Sequence, residues 1–179
     1  MDEKTISSRT VFDGRLLKIE VLDVELENGL KTSREIVRHK GAVAVIAQLP
    51  DGRFVLVRQF RKAIEKDLLE IVAGGLEPHE SPADCAVREM KEETGFTCSD
   101  LKELGVVYLT PGYSSERTHL FYATLLPEAG EAGPEEDENV DVVCLSAGQI
   151  EDMISNGEIE DAKTLAAWLL YGRKTIDDK

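Results

Sequence analysis

Glu89, Glu92 and Glu93 stand at i, i+3 and i+4. On a helix, a turn of ~100° per residue confines them to an arc of about 100°, so three carboxylates share one face. Like charges spaced this way destabilise a helix by about 0.2–0.5 kcal/mol per pair, and more where solvent is poor. A divalent cation removes that penalty. Hard oxygen donors suit Mg²⁺ or Mn²⁺, and Mg²⁺ commonly bridges a few carboxylates to the phosphate oxygens of a substrate. The competing use of the same residues is a solvated acidic face with Arg88 and Lys91 as local partners.

The surroundings favour the first use. Reading outward gives Gly74-x5-Glu80-x7-Arg88-Glu89-Met90-x-Glu92-Glu93-x-Gly95-Phe96. This fills every defined position of the signature that marks the Nudix hydrolase family, and the chain resembles that family over the 23 residues concerned. The likeness extends further. Leu69-Glu70-Ile71-Val72-Ala73-Gly74-Gly75, Arg58-Gln59-Phe60-Arg61, Arg34-Glu35-Ile36-Val37 and Asp161-Ala162-Lys163-Thr164 all resemble the ADP-ribose pyrophosphatase branch. So does the loop from Thr110 to Glu116, whose Pro111 lies fifteen residues after Phe96. Val72 departs from the branch, many members of which have proline before Ala-Gly.

The resemblance implies an α/β fold, a Nudix-type α/β/α sandwich with a mixed sheet, in which the signature forms a loop, a helix and a loop. It implies Mg²⁺-dependent hydrolysis of ADP-ribose to AMP and ribose 5-phosphate, with two to three ions per site and Mn²⁺ as a substitute. Carried over residue by residue, Glu89 and Glu93 are principal metal ligands, and the Ala73 carbonyl is a further one. Glu92 is a ligand or a hydrogen-bonding neighbour with a part in catalysis. In the acidic loop, Glu136 is the general base and Glu138 an additional ligand, with Glu135, Asp137 and Glu116 as competing bases. Substrate contacts fall on Arg34, Glu35, Arg61, Gly75, Pro111, Gly112 and Glu116. Arginine suits a diphosphate because its planar fork offers paired donors. Gly74, Glu80, Arg88 and Gly95 support the site. The branch also implies a homodimer that exchanges its N-terminal ribbon, so that Arg34 acts across the two-fold axis. Two alternatives remain: another nucleoside diphosphate compound, such as a GDP-sugar, another ADP-sugar or NADH, and a non-catalytic ADP-ribose binding module.

Residues 16–26 and 30–39 favour extended structure around the turn signal Asn28-Gly29, giving an N-terminal antiparallel β-ribbon. Residues 41–49 and 53–60 read as a more buried hairpin around Pro50-Asp51-Gly52. Residues 68–73 form a strand ending in Gly74-Gly75, where the backbone needs unusual dihedrals or a close approach to a ligand. Ser81, Pro82, Asp84 and Gly95 predict a helix over 82–94, packed by Ala83, Ala86, Val87 and Met90. Strands follow at 101–109, 117–126 and 140–145, with an acidic loop over 127–139. Two helices finish the chain, one at 147–155 and one from about Asp161 that carries Leu165, Trp168 and Leu169 before Gly172, with Trp168 in the core. This divides the chain into a ribbon, 1–39, and a hydrolase domain, 40–179.

The 179 residues suffice for one domain with a small appendage. Acids outnumber bases 35 to 21, a net charge of −14, and no Lys or Arg occurs between Thr118 and Ala162. Such a surface repels a polyanion, so nucleic acid is not an expected partner. Cys85, Cys98 and Cys144 have neither disulfide nor zinc spacing. No apolar stretch approaches the ~18 residues of a membrane span, and the N-terminus carries no secretory pattern, so a cytoplasmic location is expected.

Overall fold

The computed structural model describes residues 2–133 and 140–177, with side chains through 173. It divides into two compact units, Met1–Gly41 with Tyr108–Arg117, and Ala42–Val107 with Thr118–Lys179.

In the first unit, β1 (Glu3–Asp13), β2 (Lys18–Leu26) and β3 (Lys31–Arg38) form an antiparallel sheet in that order. The expected ribbon is β2 and β3. Gly29 takes φ 79° in its turn, and Asn28 Oδ1 accepts from Leu30 N at 3.0 Å. The third strand, β1, was not expected, because all eleven of its residues are exposed and no apolar face marks it. The 108–117 segment is stitched to β3: Val37 N donates to Tyr113 O at 2.8 Å, and Ser115 N to Val37 O at 3.0 Å.

In the second unit, β4 (Ala42–Gln48), β5 (Phe54–Arg61), β8 (Cys98–Val107), β9 (Thr118–Leu125) and β10 (Val140–Leu145) make a sheet in the order β10-β5-β4-β9-β8. β4 and β9 are parallel and the other pairs antiparallel. The segment expected as one strand over 68–73 is two, β6 (Lys66–Glu70) on β5 and β7 (Val72–Gly75) on β4. The chain changes partner at Ile71, whose N–H leaves the sheet and donates to Thr164 Oγ1 at 3.0 Å.

Successive side chains of a strand point to opposite faces, and the core follows that rule. Val43, Val45 and Ala47 of β4 pack beneath α1 (Pro82–Thr94), whereas Ala44 and Ile46 face the side of α2 (Ala147–Ser155) and α3 (Ala162–Asp177). The α/β/α sandwich with a mixed sheet is therefore present. Trp168 packs edge-on against Phe54 at 5.1 Å between ring centroids, as expected of a core residue. Two details differ from expectation: α3 runs through Gly172, and Leu169 is 64% exposed. Among the described residues, no helix is long and apolar enough to cross a membrane.

Candidate active site

Helix α1 starts where the local chemistry places it. Ser81, in extended conformation, accepts the Asp84 N–H on its side chain, Pro82 fills the first turn, and Gly95 closes the helix at φ 74° with its N–H on Lys91 O. Gly95 is also a close approach, since a Cβ there would lie 2.5 Å from Gly130 O. The expected packing face needs correction. Ala83 is exposed and Val87 is 41% exposed, while Cys85, Ala86, Met90, Glu93 and Thr94 are buried. The buried stripe includes a carboxylate, so a count of apolar residues alone rotates the helix wrongly.

Arg88 organises one side of this helix. Its Nε and Nη2 hold Glu80 at 2.8 and 3.0 Å, and its Nη1 holds Glu89 at 2.8 Å and Glu92 at 2.9 Å. Nη2 also donates to Gly75 O at 3.2 Å. Glu80 in turn accepts from Glu77 N at 3.0 Å, which fixes the loop before the helix. The Arg88 fork, helped by that backbone donor, brings the Glu80 pKa down to about 2, and its carboxylate partners, Glu80 first, raise that of Arg88. Burial, then the neighbouring Glu80, pushes the Cys85 thiol up to about 12, which keeps it an inert packing group.

Gly74 and Glu89 meet at close quarters. A Cβ on Gly74 would fall 1.9 Å from the Glu89 carboxylate, so only glycine leaves that carboxylate where it is. Gly74 pairs with Val43 and Ala73 with Ala44, so a sheet register fixes the backbone facing the helix. Gly75 faces open space. Glu93 is 4% exposed, with Oε1 3.5 Å from Gln59 Nε2 on β5. Among the described residues, no three His, Cys, Asp or Glu side chains converge as a ready-made metal cage. The hard oxygen donors of Glu89, Glu92 and Glu93 and the glycine cradle beside Glu89 fit a hard divalent cation.

Arg61, two residues beyond Gln59 on β5, makes a paired contact with Glu70, Nε to Oε1 at 2.7 Å and Nη2 to Oε2 at 2.8 Å. Glu70 is 1% exposed and also takes Lys163 Nζ on Oε2. Lys163 donates to Asp161 at 3.0 Å, and Asp161 accepts from Thr164 N and Oγ1 at 2.9 and 2.6 Å. Burial alone would raise the Glu70 pKa, but Arg61 and Lys163 bring it below the ordinary value. Sequence reasoning gave Gln59, Glu70, Asp161, Lys163 and Thr164 no role of their own. The available signal was an acid, Glu70, inside the apolar run Leu68-Leu69-Glu70-Ile71.

The remaining expected residues lie in the first unit or outside the described residues. Arg34 is paired with Glu3 at 2.7 Å, and Glu35 is exposed on the same strand. Pro111 and Gly112 are exposed and Glu116 half-buried in the segment that β3 holds. Glu136 and Glu138, with Glu135 and Asp137, lie outside the described residues. Their described neighbours are anchored close to the helix: Gly133 N donates to Glu92 O at 3.0 Å, and Val140 lies opposite Gln59.

Comparison with known proteins agrees with this arrangement. The family profile of the NUDIX domain matches residues 38–168. A protein of Bacillus subtilis (strain 168) named ADP-ribose pyrophosphatase is 41% identical over 170 residues, 93% of this chain and 91% of the relative. One of Bacillus methanolicus named methanol dehydrogenase activator is 44% identical over 167 residues, 93% and 90% of the two chains. A solved structure described as an ADP compounds hydrolase superposes with a TM-score of 0.85 at 27% identity, over 99% of this chain and 96% of that one.

Proposed function

The chain belongs to the Nudix family, and from that premise we propose that it hydrolyses ADP-ribose to AMP and ribose 5-phosphate with Mg²⁺. At the coarser level it is a pyrophosphatase, a hydrolase of nucleoside diphosphate compounds. The observation that carries the reading is the Glu89 carboxylate seated on Gly74, on the helix that also buries Glu93 at 4% exposure.

In this reading Glu89, Glu92, Glu93, the Ala73 carbonyl and Glu138 hold two to three Mg²⁺ ions, with Mn²⁺ a substitute. A divalent ion there supplies neutralisation of the diphosphate and acidification of water. Arg88 keeps Glu89 and Glu92 oriented, a task its fixed fork suits. Glu136 takes the proton of the attacking water, and displacement proceeds in line with loss of a phosphate ester. Support for Glu136 and Glu138 comes from the anchors of their segment at Glu92 and Gln59. Arg34, Glu35, Arg61, Gly75, Pro111, Gly112 and Glu116 contact substrate. Residues 1–39 form the ribbon of a homodimer and 40–179 the hydrolase domain. The exposed edge strand β1, with Ile6, Val11 and Phe12 each about half exposed, supports the pairing, since an open edge offers unpaired backbone groups to a partner.

Another nucleoside diphosphate compound is the second reading, because the signature addresses metal and diphosphate and leaves the distal group to other residues. A pure binding module has no use for three crowded carboxylates. Glu93→Gln tests the chemistry: in Mg²⁺ the AMP released from ADP-ribose is expected to fall about a hundredfold or more in kcat, with thermal unfolding little changed. A nearly wild-type rate would remove the assignment.

A further inference from the structure

Glu70 and Lys163 are expensive placements. Glu70 is a carboxylate at 1% exposure, and Lys163 is a cation, 12% exposed, in the first turn of α3, where the helix dipole disfavours positive charge. A buried ion pair is weak as a source of stability, since well-packed apolar residues do as well. What the pair does have is a third member. Glu70 accepts from Arg61 Nε and Nη2, and among the described residues Arg61 Nη1 donates no hydrogen bond. The Arg61 side chain is 43% exposed.

Charge balance gives Lys163 its purpose. Arg61 and Lys163 together face two carboxylates, Glu70 and Asp161. With Lys163 present, Glu70 is divided between two cations and Arg61 keeps an attraction for a further anion. Without it, one excess negative charge stands beside the guanidinium, and Glu70 Oε2 is no longer pinned from its second side. Thr164, next in sequence, fixes this turn to the strand change at Ile71, so the arrangement is tied to the backbone that leads into Ala73 and Gly74.

We infer that Lys163 is a positioning residue for diphosphate binding: through the Glu70 carboxylate they share, it holds Arg61 with its open edge and its charge directed to the substrate. The inference rests on the reading of Arg61 as a diphosphate ligand.

The test is a double-mutant cycle on ADP-ribose binding, measured by calorimetry in EDTA so that no turnover occurs, with KM and kcat measured in Mg²⁺ alongside. Lys163→Met is expected to weaken binding and raise KM about five- to tenfold while kcat stays within about twofold, and Lys163→Arg is expected to restore binding. Lys163→Gln serves the same purpose should the methionine variant not fold. In an Arg61→Ala background the substitution of Lys163 should cost nothing further, whereas a merely structural lysine would give losses that multiply. Multiplying losses, or unchanged binding by Lys163→Met where Arg61→Ala binds weakly, overturn the role of Lys163 and leave Arg61 as a ligand. Unchanged binding by Arg61→Ala overturns the Arg61 reading and this inference with it.

Discussion

Arg88 and Arg61 both rest on carboxylates of the second unit, but they are engaged to different extents. Arg88 has all three nitrogens occupied, by Glu80, Glu89, Glu92 and Gly75 O, and its side chain is 25% exposed. Arg61 has two nitrogens on Glu70 and is 43% exposed. A guanidinium with every donor used inside the protein can shape a site, whereas one with a free edge can also meet a ligand. The partners differ in origin as well. Those of Arg88 lie within thirteen residues of it in sequence, while the Glu70 that holds Arg61 is shared with Lys163, 93 residues farther on.

Disturbing the Arg88 side alone should cost the most activity. Gly74→Ala places a methyl group where the Glu89 carboxylate now lies, 1.9 Å away. Because those atoms end a flexible side chain, the fold should survive and Glu89 should move. A fall in kcat of about a hundredfold is expected, with thermal unfolding shifted little, since misplacement by ~1 Å costs about that much. Normal turnover by this variant would show that Glu89 needs no such seat.

Arg88→Lys is a milder disturbance of the same side. One ammonium cannot serve Glu80, Glu89, Glu92 and the Gly75 carbonyl together, so kcat should fall about tenfold and the midpoint of thermal unfolding should drop. A variant that loses neither would reduce Arg88 to a surface charge.

The smallest effect is in pH dependence. Glu80 has a folded pKa of about 2 against an ordinary 4.5. Its contribution to stability is therefore complete above pH 4.5 and is lost as pH falls from there toward 2. Glu70, also lowered, acts with the same sign. Thermal unfolding followed from pH 7 downward should stay level and then decline in that acid window, and Arg88→Lys should decline less because the Glu80 share is already gone. Parallel decline in both proteins would contradict the pairing as the cause.

The contrast also explains what could be read from the sequence. Helix α1 was legible to the residue because Ser81, Pro82 and Gly95 are its own signals, and the Arg88 cluster falls within that stretch and the loop just before it. Its buried face was misread through Ala83 and Val87, because Glu93 takes a place in the core that an apolar pattern does not register. Strand β1 was missed for the opposite reason, having no buried face to leave a pattern. The division of 68–73 into β6 and β7 depends on Thr164, distant in sequence, as does the Arg61 pedestal on Lys163. Local signals were readable, while partners brought together only by the tertiary fold were not. Glu136 and Glu138 stand on the sequence likeness and on the anchors at either end of their segment.

The most direct test of the account is to supply the purified protein with ADP-ribose, ADP-glucose, GDP-mannose and NADH in Mg²⁺ and follow nucleoside monophosphate release with and without EDTA. Preferential release of AMP from ADP-ribose, abolished by EDTA, is the expected result. Activity confined to another compound would retire ADP-ribose as the substrate, and release that persists in EDTA would contradict the role given to Glu89, Glu92 and Glu93.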